Sequence, residues 1–325
     1  MLTETGNNIV KYIKDRQEAT AKELVDFLLI SPQAVFKQLK KLQERGQIAK
    51  FGSPPRVFYV LAGEKQAEVR LIDQDVSKYI NNNYLYISPD GLFLEGVGGF
   101  TAWCEGNGFE PNKTAREYVA TSKKYSAFRQ HGLIDGRVKL KQTFKDVYLD
   151  KLFYLDFYSI ERFGKTKLGA MLLYAKQSQD KKLIQKIGQM TQDAVKKLIK
   201  SENIQAVGFI PPTIGRRVQL QKELEKIYAI SLPKIKILKA INQIAVPQKS
   251  LNKLSDRITN AQNTIFVEGG QTHRTVLLID DAVGSGATLN ETARKIKEKL
   301  GGGKTKVIGL ALTGSFKGFD VISEV

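Results

Sequence analysis

Cysteine and histidine are nearly missing: one Cys and two His in 325 residues. That excludes a disulfide framework, a Cys-rich zinc finger and a His-rich metal centre. Acidic residues are outnumbered, with 33 Asp and Glu against 51 Lys and Arg, for a formal charge of +18. An acidic partner therefore suits the chain: nucleic acid, phosphorylated metabolites or an anionic surface. No window long enough to span a bilayer lacks a charge; the longest uncharged run, 203–215, contains Pro211 and Pro212. The start, MLTETGNNIVKYIKD, has no apolar signal region, and no internal repeat or low-complexity tract is present. The expectation is a cytoplasmic protein with no membrane partner. At 42% hydrophobic residues there is ample material for a core, and the length suggests two domains or more.

Three predicted helices and a hairpin fill the first sixty residues. Ile9, Val10 and Ile13 recur at helical spacing. Thr20 and Glu23 form a capping-box pattern before Leu24, Phe27 and Leu28. Ser31 and Pro32 open a third helix with the stripe Val35, Leu39 and Leu42, which Gly46 ends. Two strand-like runs follow, 47–51 and 56–61. On the polar side of the third helix lie Gln33, Lys37, Lys40 and Lys41, and on the hairpin Lys50, Ser53 and Arg56. The order of elements resembles a winged helix-turn-helix, carried by the run SPQAVFKQLKKLQERGQIAKFGSPPRVFYVL. In the winged helix-turn-helix that it resembles, such side chains meet a duplex, with bases read from the helix and phosphates held by cations. A protein-contact role for the same unit stays open.

Residues 63–83 read as a connecting helix and turn. The aromatic and glycine-rich stretch 84–110, with Asp90-Gly91, predicts a hairpin or small sheet, and 112–130 a basic helix. Cys104 beside Trp103 reads as a core thiol. The expected domains are 1–62, a mixed middle module over 63–150, and 151–325.

Beyond 150, short apolar strands alternate with helices, which predicts a parallel α/β sheet. Helices are expected over 165–200, 215–228 and 288–300, strands at 204–210, 233–240, 275–279 and 306–312, and a polar loop over 242–263. The strongest chemical signal is 276–288: an apolar strand ends in Asp280 and Asp281, and Gly284, Ser285, Gly286, Ala287 and Thr288 open a helix. Small residues let backbone N–H groups close around a phosphate at a helix N-terminus. Adjacent carboxylates at a strand end suit vicinal hydroxyls or the shell of a Mg²⁺. Together these fit a ribose 5-phosphate; the alternative is a buried strand with an ordinary capping turn. Arg216 and Arg217 could clamp pyrophosphate or simply face solvent, Lys176 could be a phosphate ligand or a surface lysine, and Arg257 could close over a ligand.

The run 276–288 resembles the phosphoribosyl-pyrophosphate (PRPP) motif of type I phosphoribosyltransferases, with Gly284 where the family has a hydroxyl residue. Upstream, 167–176 with Lys176, 208–219 with Pro211, Pro212, Thr213, Arg216 and Arg217, and the spaced Gln248, Leu251, Arg257, Asn260 and Phe266 resemble the ComF branch of that superfamily. The resemblance covers about 158–316. It departs in lacking the Cys-rich zinc element, and the family's Arg-Gly-Phe-Asn-Gln run is reduced to Arg217-Val-Gln219, where the glutamine could equally align one or two places off. It implies a phosphoribosyltransferase-type α/β domain that binds PRPP with Mg²⁺ at Asp280 and Asp281, directly or through water. Catalytic roles fall to Asp280, Asp281 and Arg257, and a pyrophosphate loop to Pro211, Pro212, Thr213, Arg216, Arg217 and Lys176. The expected function is a DNA-binding regulator responsive to PRPP or a nucleotide, with a homodimer open. The alternatives are an active phosphoribosyltransferase, or a ComF-like protein of DNA uptake.

Overall fold

A computed structural model of the chain describes residues 4–16, 18–53, 56–61, 72–240, 244, 246–300 and 304–316. The chain divides into two compact units, Met1–Glu117 and Tyr118–Val325.

In the first unit, helices form where the caps and apolar spacings direct. Helix α1 (Glu4–Arg16) buries Ile9 and Ile13. Strand β1 (Ala19–Thr20) leads into α2 (Ala21–Leu28), whose capping box joins the Thr20 side chain to the Glu23 N–H and the Glu23 carboxylate to the Thr20 N–H. Helix α3 (Pro32–Glu44) starts at the Ser31 hydroxyl, which accepts from the Ala34 N–H at 3.3 Å. It ends before Gly46, at φ +65°. Strands β2 (Ile48–Ser53) and β3 (Arg56–Leu61) form an antiparallel pair, with β1 on the far side of β3. Ile9, Ile13, Leu24, Val35, Leu39, Leu42, Ile48 and Tyr59 close one core.

Helix α4 (Gln74–Asn83) precedes a hairpin of β4 (Leu85–Ile87) and β5 (Phe93–Glu95). The expected sheet stops there, because 96–106 is helix α5 (Gly96–Gly106). Its buried Val97, Phe100, Thr101 and Cys104 recur at the helical period. Two of the glycines, Gly96 and Gly99, serve close approach: a Cβ on Gly99 would lie 2.1 Å from the Leu94 carbonyl oxygen, so only glycine lets α5 pack on the hairpin.

Helix α6 (Pro111–Ser126) carries the expected basic segment. The second unit is built on a six-stranded sheet: β6 (Arg129–Gln130), β7 (Leu133–Asp135), β8 (Lys151–Phe157), β13 (Lys306–Gly314), β12 (Thr275–Val283) and β9 (Ala206–Phe209), in that spatial order. The four strands from β8 to β9 are parallel, and β6 and β7 add an antiparallel edge. The sheet therefore begins upstream of residue 151, within the stretch read as a middle module. Strands β12 and β13 are nearly continuous apolar runs, as a parallel sheet covered on both faces requires. Connections run through α7 (Arg137–Thr143), α8 (Lys167–Ser178), α9 (Lys181–Ser201), α10 (Leu220–Tyr228) and α12 (Ala287–Leu300).

A second, two-stranded antiparallel ribbon, β10 (Ile237–Lys239) with β11 (Ile265–Val267), continues from a short parallel bridge between Lys234 and Val207 of β9. The expected polar loop between these strands is in part helix α11 (Leu254–Thr264). Among the described residues, no helix is long and apolar enough to cross a membrane.

Candidate functional site

The carboxyl ends of β9 and β12 open onto a cleft of about 180 Å³. An apolar strand held on both sides must end in a loop, and here that loop turns at 284–286 and enters α12. Gly286, at φ +87°, makes the turn; a Cβ there would also stand 3.0 Å from Leu140 Cδ2. The Ser285 hydroxyl accepts from the Ala287 N–H at 3.3 Å and keeps its own proton to donate.

The two aspartates differ. Asp281 is buried, and its Oδ2 accepts from Lys176 Nζ at 2.7 Å and from Gln221 Nε2 at 3.0 Å. Asp280 is intermediate in exposure, yet protein crowds its carboxyl enough that burial, followed by the charge of Asp281, pushes its pKa up to about 7. The Asp281 N–H, which donates to Asp280 Oδ1 at 2.8 Å, pulls the other way, as do Lys176 and Lys239. Burial lowers the pKa of Lys239, and both aspartates oppose that shift.

Of the residues expected at the phosphate site, Lys176, Pro211, Pro212, Thr213, Arg216, Arg257, Asp280, Asp281 and 284–288 all line this one cleft. Arg217 is exposed and does not line it. Arg257 is not on an open loop: it is buried in α11, where its Nε donates to the Leu251 carbonyl at 2.8 Å. Gln248 Nε2 in turn donates to the Arg257 carbonyl at 3.0 Å. The spaced Gln, Leu and Arg thus hold one another and present Gln248 and Arg257 to the cleft. Of two further contributors, one falls within the slack of the sequence pattern and one escaped it. Gln221 lies two places beyond the Gln219 taken from the pattern, and Lys239 sits on the two-stranded ribbon, with no motif to mark it. The lining side chains carry four cations, Lys176, Lys239, Arg216 and Arg257, against two carboxylates.

In the first unit, Gln33, Lys37, Lys40 and Lys41 are exposed on α3, away from buried Val35, Leu39 and Leu42, and Lys50 is exposed on β2. The side chains of Ser53 and Arg56 lie outside the described residues. Glu44 is paired with Lys40 at 4.0 Å. Among the described residues no cluster of three His, Cys, Asp or Glu side chains could hold a metal. No protein-family model matches the chain, and no curated protein matches it.

Proposed function

We propose that the chain is a DNA-binding protein whose α/β unit binds PRPP with Mg²⁺, and that it acts as a ligand-responsive regulator. The observation that carries this reading is the convergence of the acid pair, the 284–288 turn and four cations on one strand-end cleft. In this reading the 5-phosphate sits in the turn, taking backbone N–H groups, the Ser285 and Thr288 hydroxyls and the positive end of α12. Asp280, the more open of the acids, accepts from ribose hydroxyls. Asp281 is occupied by Lys176 and Gln221, and it orients them. Arg216, Lys239 and Arg257 offset the pyrophosphate charge.

Two carboxylates without a third protein ligand fit Mg²⁺, which keeps several waters and takes the rest of its shell from substrate phosphates. When bound, it would neutralise pyrophosphate charge beside Asp280 and Asp281. The first unit, read as a winged helix-turn-helix, would dock α3 on a duplex through Gln33, Lys37, Lys40 and Lys41.

Calorimetry with PRPP and Mg²⁺ tests the cleft. Asp280→Asn combined with Lys239→Met should abolish binding in a folded protein, and unchanged affinity would sink the assignment. Base-dependent pyrophosphate release in the same preparation would favour a working transferase. A salt series tests the duplex: each phosphate contact contributes about −0.9 to the log–log slope. Lys37→Ala with Lys40→Ala should flatten that slope.

A further inference from the structure

We infer that Phe36 reads thymine methyl groups in the major groove, an inference that rests on the DNA-binding reading above. Phe36 is 53% exposed on α3, on the face that carries Gln33, Lys37 and Lys40. The buried side of the helix is formed by Val35, Leu39 and Leu42, and Phe36 is not among them. Phe27 is equally exposed but stacks on Tyr12 at 4.4 Å between ring centroids. Phe36 has no such ring neighbour among the described residues.

A large apolar side chain ringed by lysines calls for a partner that is anionic at its rim and apolar at its centre. Duplex DNA has that arrangement. Phosphates flank the major groove, and the thymine C5 methyl is the apolar group on its floor. Gln33, on the first turn of α3, suits the adenine paired with such a thymine. A-form RNA lacks the methyl, and its deep, narrow major groove does not admit side chains. A second copy of this chain fits poorly. A two-fold contact through the same face would set Lys37, Lys40 and Lys41 against their counterparts, and Glu44 is already paired with Lys40.

The test uses the full chain and duplexes enriched by it from a library with a randomised centre. Each enriched duplex is made with thymine and again with uracil, one position at a time, so that pairing is kept and only the methyl is lost. The wild-type chain should bind about fourfold more weakly for each contacted methyl removed, the value for burying one methylene-sized group. Phe36→Ala should bind thymine and uracil versions equally with the salt slope unchanged, and Phe36→Leu, which keeps an apolar contact, should retain the preference. Because Phe36 lies outside the core, both variants should unfold at the wild-type temperature; if Phe36→Ala does not fold, the wild-type position scan and Phe36→Leu decide the matter. A wild-type chain indifferent to every methyl overturns the inference. So does a preference that survives in Phe36→Ala, including the case where that variant instead loses self-association by sedimentation. A chain that binds no duplex at low salt removes the DNA reading itself, an outcome distinct from binding without methyl discrimination.

Discussion

Lys176 and Gln221 end on the same oxygen of Asp281, while Asp280 beside it carries the raised pKa. The two acids should therefore respond in opposite ways to the same substitution. Asp281→Asn leaves Lys176, 15% exposed, without its carboxylate. Breaking a buried pair from one side costs about 3 kcal/mol, here at the low end because Asp280 stays near. Asp280→Asn removes a charge that the fold disfavours. A carboxyl that holds its proton more tightly in the folded chain stabilises the fold at low pH. That contribution is lost as pH rises from about 4, the unfolded value, and is gone above about 7. Without PRPP or Mg²⁺, the melting temperature of Asp280→Asn relative to wild type should climb between those limits and then level off. A pH-independent difference would contradict the asymmetry. None of this was legible in the sequence, which shows two adjacent aspartates and not their neighbours.

Among the elements, the turn into α12 depends on one backbone conformation. Gly286→Ala should cost about 1–2 kcal/mol for the left-handed φ, to which the 3.0 Å approach to Leu140 adds. Denaturant unfolding should show the loss, and calorimetry should show weaker PRPP binding as the turn shifts. Wild-type stability and affinity in this variant would mean that the turn is not the phosphate site. This element was plain in the sequence because an apolar strand, small residues and a helix follow one another without a gap. Helix α11 was not: Leu254, Ile258 and Ala261 do recur at helical spacing, but they are few among polar residues, and the buried positions are Arg257 and Ala261. In α5 the run of glycines imitated a turn, while Gly96 and Gly99 serve close packing. Strands β6 and β7 are too short to carry an alternation at all.

At the scale of the whole molecule, the proposed duplex binding by one unit and ligand binding in the cleft of the other have a purpose if each biases the other. Coupling is reciprocal, so saturating PRPP with Mg²⁺ should change duplex affinity by the factor by which duplex changes PRPP affinity, about 5–150-fold. Titrations at one ionic strength check this, and a ratio of one removes the sensor reading. The way such a signal leaves the cleft is constrained by β12, which is bonded to β9 through Ile279 and to β13 through Val283. Amides clamped between two neighbours exchange with solvent only when the sheet itself opens, so β12, like β13 beside it, is among the slowest parts of the unit to take up deuterium. Ligand cannot add much protection there. Deuterium uptake should instead fall at 211–219, at 246–253 and in the first turn of α11, the segments that line the cleft beside β12, leaving the central strand a fixed anvil against which they are ordered.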